Sequence, residues 1–150
     1  MGSHEKPAFQ AWHGFQQVHA AMHRAVLRDL REVGLSGSQL AILRVLADAG
    51  EAGVKLNEIS HTLSVTSANV TGLIDRLEEA GHLARRAHPE DRRVTLAVLT
   101  PAGRELFERV YPSHARRVER VMSRLTPKEQ LLLAELLGRI ADSVLAEDER

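Results

Sequence analysis

The chain has 150 residues, enough for one domain with a sizeable core, and its twenty basic side chains balance twenty acidic ones. It contains no cysteine, which excludes a disulfide framework, a cysteine-ligated zinc site and a thiol switch. No apolar run is long enough to span a bilayer and no signal-type apolar segment opens the sequence, so a soluble cytoplasmic protein is expected. From Ala8 to Val33 the apolar residues Phe9, Trp12, Phe15, Met22, Val26, Leu27, Leu30 and Val33 fall at helical spacing, predicting one long helix that Gly34 ends. Ser36 with Gln39 reads as a capping box for a second helix, whose buried stripe is Leu40, Leu43, Leu46 and Ala47. Gly50 and Gly53 close it, and Val54-Lys55 suits a short strand pairing with a later hairpin.

Leu56, Ile59 and Leu63 then make one face of a short helix. Ser64-Val65-Thr66 is the turn, with Thr66 as N-cap of a further helix running to Ala80 and stopped by Gly81. In that helix Val70, Leu73, Ile74 and Leu77 point inward, while Ala68, Asn69, Gly72, Asp75 and Arg76 lie opposite, flanked by Ser67 and Thr71. His82–Ala87 and Val94–Leu99 read as two strands joined through Pro89-Glu90-Asp91-Arg92-Arg93, with Pro89 suited to the second position of a type I turn. Thr100-Pro101 caps the next helix, which Pro112 is expected to kink. Thr126-Pro127-Lys128-Glu129 is a second cap with a capping box. The apolar residues of the last helix, from Leu131 to Leu145, cover an arc of roughly 200° at ~100° per residue, more than one stripe needs. The first helix has a similar excess, and a homodimer through the terminal helices is the expected solution.

Helix, short turn, second helix and an arginine-tipped hairpin make a winged helix-turn-helix: a mainly α fold with a small β-hairpin wing. Such a helix enters the major groove of DNA, and the wing reaches the adjacent minor groove. The candidate DNA-binding residues are Ser67, Ala68, Asn69, Thr71, Gly72 and Arg76 on the helix, with Arg85, Arg86, Asp91, Arg92 and Arg93 on the hairpin. Small and polar side chains allow close approach to base edges, and asparagine and arginine have bidentate geometry for adenine and guanine. The hairpin is locally basic, whereas the C-terminal end carries the acidic Glu147, Asp148 and Glu149; that distribution suits a site-specific binder. A winged helix used for protein contacts is the alternative, against which the basic wing argues. No nucleophile–base pair, phosphate-cradling glycine loop or HExxH motif is present, so no enzyme activity is expected.

Leu56-Asn57-Glu58-Ile59-Ser60 through Leu63, Val70-Thr71-Gly72-Leu73-Ile74-Asp75-Arg76-Leu77-Glu78, Gly81-His82-Leu83, Asp91-Arg92-Arg93 and Leu99-Thr100-Pro101-Ala102-Gly103 are specific in this order and spacing. Together they closely resemble the MarR family of bacterial transcriptional regulators, strongly over about Leu40 to Gly103 and by pattern beyond it. The resemblance implies a single domain over 1–150, with a DNA-binding lobe at 36–100 and dimerisation helices at 8–33 and 101–146. It implies a triangular homodimer that binds a palindromic promoter, usually as a repressor relieved by a small ligand. The family's Asp-x-Arg wing motif falls on Asp91 and Arg93, the arginine entering the minor groove and the aspartate holding it or a neighbouring arginine in place. Ser64 departs from the glycine common in the turn. Gly72 stands where many members carry a polar residue, which shifts weight to Asn69 and Arg76.

Trp12, His13 and Phe15 are candidates for a pocket holding a small aromatic effector, where many relatives place theirs; no other cofactor is expected. His19 and His23 have the i, i+4 spacing of a helical zinc chelate, and His114 could complete the set. These histidines are read as interface or half-buried residues and no metal is expected; a zinc-sensing regulator of the same fold is the alternative.

Overall fold

A computed structural model describes residues 6–26, 28–63 and 67–148. The expected Ser64-Val65-Thr66 turn with its Thr66 cap lies outside the described residues, as do Leu27 and Glu149. The side chains of His23, Val26, Ser67, Leu145, Glu147 and Asp148 also lie outside them. The chain divides into two compact units, residues 1–36 and 37–150. The boundary falls at Ser36, where the DNA-binding lobe is expected to open.

In the first unit, where one helix was expected over 8–33, the described residues on both sides of Leu27 are helical: α1 (Pro7–Val26) and α2 (Arg28–Glu32). The end of α2 follows from its hydrogen bonds. Gly34 donates to the Arg31 carbonyl at 3.1 Å and Leu35 donates to the Leu30 carbonyl at 2.9 Å, the paired closure of a Schellman motif. The two apolar positions that such a motif brings together, Leu30 and Leu35, are both buried. On α1 the rings of Trp12 and Phe15 stack at 6.1 Å and those of Phe15 and His19 at 6.2 Å, while Phe9, Trp12, Phe15 and Val18 are all exposed.

The second unit begins with α3 (Gly37–Ala49) and a 3₁₀ turn at Gly50–Ala52. It continues through β1 (Val54–Lys55), α4 (Leu56–Leu63), α5 (Ser67–Glu79), β2 (Leu83–Ala87), β3 (Thr95–Leu99), α6 (Pro101–Met122) and α7 (Pro127–Asp148). The three strands form an antiparallel sheet in the order β1-β3-β2. Val54 pairs with Ala97, and the hairpin register runs from Leu83 opposite Leu99 to Ala87 opposite Thr95.

The core gathers around α3, which packs against α4, α5, α6 and the sheet. Leu40, Leu43 and Leu46 are buried as the stripe requires, but Ile42 is buried as well and Ala47 only half so. A helix with neighbours on several sides buries more than one stripe. Ile59 of α4, Val70, Leu73, Ile74 and Leu77 of α5, Leu83 and Leu96 of the hairpin, and Leu106 and Val110 of α6 complete the core.

Two junctions fix the hairpin between its helices. After α5, Gly81 adopts φ +75°, donating to Glu78, while His82 donates to Leu77, a second Schellman closure. After β3, the Thr100 hydroxyl accepts from Gly103 N at 3.0 Å as N-cap of α6 and donates to the Gly81 carbonyl at 2.6 Å. One side chain thus caps a helix and holds the start of the wing. Helix α6 runs unbroken across Pro112. The capping box of α7 forms as expected, with Glu129 accepting from both the backbone and the hydroxyl of Thr126. Gln130 adds two bonds, from Nε2 to the Met122 and Leu125 carbonyls at the end of α6.

Candidate nucleic-acid interface

Helix α5 buries one face because Val70, Leu73, Ile74 and Leu77 recur at helical spacing, and that burial turns the other face outward. Ala68, Asn69, Thr71, Asp75 and Arg76 are exposed there and Gly72 is half-exposed. A Cβ added at Gly72 would meet nothing within 4 Å, so the fold itself does not demand a glycine. Among the described residues no carboxylate forms an ion pair with Arg76; its neighbour Asp75 is taken by Arg85.

The four hairpin arginines divide into two pairs. Arg85, on β2, turns inward toward α5: its backbone N donates to Glu78 Oε1 at 3.1 Å, and its guanidinium bridges Glu78 and Asp75. Burial of this guanidinium works against its charge, but the hydrogen bonds and charges of Asp75 and Glu78 outweigh burial, so its pKa is raised. The next residue, Arg86, donates to the Glu51 carbonyl and, at 3.1 Å, to the Ala52 carbonyl of the 3₁₀ turn. Both were expected to face DNA; in the structure both guanidinium groups bond within the fold.

Arg92 and Arg93 occupy the tip. The hydrogen-bonded turn is Asp91–Val94, closed by Val94 N on the Asp91 carbonyl at 2.9 Å; Pro89 lies in the bend before it and not at the turn's second position. Arg92 and Arg93 are therefore the central residues of the turn, and each strand is one residue shorter than expected. The Asp91 carboxylate accepts from Arg93 backbone N at 3.0 Å, from Nε at 3.1 Å and from Nη2 at 3.2 Å. These bonds hold the Asp91 carboxyl below its ordinary pKa, the Arg93 side chain contributing most. The Arg93 side chain is itself 91% exposed, a cation oriented by its base and open at its end. A basic tip on a two-stranded hairpin, beside a helix with a small polar outer face, can engage both grooves of one duplex.

The family model described as MarR family matches residues 35–95. An uncharacterized HTH-type transcriptional regulator of Bacillus subtilis, YkoM, is 36% identical over 88% of this chain and 84% of its own. The chain belongs to the MarR family. It is a DNA-binding transcriptional regulator and not an enzyme. Among solved structures, a MarR family regulator from Streptomyces coelicolor in complex with DNA superposes with a TM-score of 0.78 at 26% identity, covering 89% of this chain and 85% of that one. The BpsR regulator of Bordetella bronchiseptica, whose DNA binding is regulated by 6-hydroxynicotinic acid, gives 0.76 at 25% identity, covering 95% of this chain and 97% of that one.

In this MarR-family chain Trp12, His13 and Phe15 are exposed on α1. His19 stacks on Phe15, and His114 is half-buried on α6 beside Tyr111, with ring centroids 6.3 Å apart. Among the described residues no group of three or more His, Cys, Asp or Glu side chains is placed to hold a metal ion. Among the described residues no helix is long and apolar enough to cross a membrane. Asp75 and Glu78 were missed as partners of Arg85, although the signal was present. Successive strand residues point to opposite faces, so Arg85 shares the face of buried Leu83 and must look toward the preceding helix. The carbonyls that receive Arg86 carry no sequence signal, because every residue has one.

Proposed function

We propose that this chain is a repressor that binds a palindromic operator as a homodimer and releases it on binding a small aromatic ligand. Its lobe at 36–100 reads DNA, the helices at 8–33 and 101–146 hold the dimer together, and it acts in the cytoplasm. Ser67, Ala68, Asn69, Thr71, Gly72 and Arg76 face the major groove, with Asn69 and Arg76 reading base edges. Arg92 and Arg93 enter the flanking minor groove, with Asp91 orienting Arg93. The observation that carries this reading is the exposed, carboxylate-oriented Arg93 at the turn of the wing. A narrow A·T-rich minor groove concentrates negative potential, and a pre-oriented arginine suits it. Trp12, His13 and Phe15 are assigned to the ligand pocket, in keeping with the aromatic acid that regulates BpsR.

Selection of bound sequences from random duplexes tests the reading. The expected product is an inverted repeat with A·T-rich flanks. On that duplex Arg93→Ala should lower the slope of log affinity against log salt by about one per protomer. A folded Arg93→Ala protein with unchanged affinity and slope would mean that the wing does not hold DNA.

A further inference from the structure

We infer that Arg85 is a positioning residue that fixes the distance between the base-reading face of α5 and the arginine-tipped wing, an inference that rests on the DNA-binding reading above. Three bonds tie this one residue to α5. Its backbone N donates to Glu78 Oε1 at 3.1 Å, one end of its guanidinium pairs with Glu78, and the other meets Asp75 Oδ1 at 2.5 Å. Asp75 and Glu78 lie three residues apart on one helix face, so a planar fork spans them where a lysine point charge could not. Its side chain is 26% exposed, which screens the pairs less than at the open tip.

The anchor sits where it controls the wing. Arg85 pairs across the hairpin with Ala97, and Ala87, two residues on, is the last paired position before the turn that carries Arg92 and Arg93. Arg86 braces the same strand on its other face through the Glu51 and Ala52 carbonyls. Consecutive arginines therefore hold β2 between α5 and the 3₁₀ turn. Arg85 also neutralises two carboxylates on the helix that faces the phosphates, carboxylates that would otherwise repel DNA. A wing held this way cannot follow its minor groove when that groove is displaced along the duplex, since each base pair moves it by about 3.4 Å and rotates it.

The test uses the full chain and duplexes in which the A·T-rich flank is moved one or two base pairs away from the selected half-site. Wild-type protein should bind the displaced duplexes about tenfold more weakly than the matched one. Arg85→Met should bind matched and displaced duplexes alike, within about threefold. The Asp75→Asn, Glu78→Gln double variant should lose the discrimination in the same way; its side chains are more exposed than that of Arg85, so it serves if Arg85→Met fails to fold. An Arg85 that touched phosphate directly would give the opposite pattern. Arg85→Met would then weaken every duplex evenly and the double variant would tighten every duplex evenly; either result overturns the inference. A wild-type protein indifferent to displacement also overturns it while leaving the DNA reading intact. A wild-type protein with no preference for the selected duplex over random DNA overturns the reading itself.

Discussion

Asp91 and Arg93 sit two residues apart at the turn of the wing, and the carboxylate accepts from the backbone and the side chain of the same arginine. Exposed ion pairs contribute little to stability, so the use of this one lies in orientation: it sets where the free edge of the guanidinium points. The pair has a readable titration signature. Arg93 favours the ionised carboxylate, so the folded pKa of Asp91 lies below its ordinary value of 3.8. A depressed carboxyl supports the folded wing above its unfolded pKa and loses that support as pH falls through the folded value. The fork is therefore intact at neutral pH and opens only in acid below about 3.8. In Arg93→Ala the Asp91 midpoint, followed by carboxyl-carbon NMR, should rise back toward that ordinary value. An unchanged midpoint would mean that the two side chains do not meet in solution.

At the scale of elements, the start of α6 is the joint that sets the hairpin against the helical core. Gly103, in the first turn of α6, lies against the backbone of the Gly81-His82 corner so closely that a Cβ there would come within 1.8 Å of the His82 carbonyl oxygen. Backbone must shift to admit even one methyl group, so Gly103→Ala should destabilise toward the upper end of the roughly 1–3 kcal/mol that overpacking costs. Urea unfolding measures it, and a stability equal to wild type would mean that the corner yields freely. Most of this architecture was legible because it rests on local rules. Thr100-Pro101 and Thr126-x-x-Glu129 announce their caps, Gly34 and Gly81 their helix ends, and the α5 stripe its buried face. What escaped depends on tertiary placement. The burial of Ile42 follows from neighbours on a second side of α3, and the turn centred on Arg92-Arg93 follows from the bond between Val94 and Asp91. The engagement of Arg86 within the fold needs a partner far away in sequence, 35 residues for Glu51. Charge composition alone treats all four hairpin arginines as equivalent; strand alternation singles out Arg85, on the face of buried Leu83, while only tertiary placement sets Arg86 apart from the two at the tip.

Across the whole molecule, one chain leaves too much apolar surface in water. Leu131, Leu132, Leu136, Leu137, Ile140 and Val144 of α7 are all exposed, Leu131 at 74%, and on α1 so are Phe9, Trp12, Phe15 and Val18. Soluble monomers rarely expose contiguous apolar patches beyond a few hundred Å², and burying such side chains yields about 25 cal/mol per Å² removed from water. A second copy of the chain offers the same surface to itself across a twofold axis, and twofold symmetry matches an inverted repeat in DNA. Light scattering at micromolar concentration should therefore give twice the 16.6 kDa mass of one chain. Leu132→Glu with Ile140→Glu places two charges within this surface and should leave a monomer. That monomer should stay folded, because both side chains are exposed within a single chain. It should still recognise a half-site through α5 and the wing, but bind the full inverted repeat with no advantage over the half, since the second lobe is no longer tethered to the first. A wild-type mass of one chain, or a double variant that keeps both its dimer and its preference for the full repeat, would show that another surface joins the lobes.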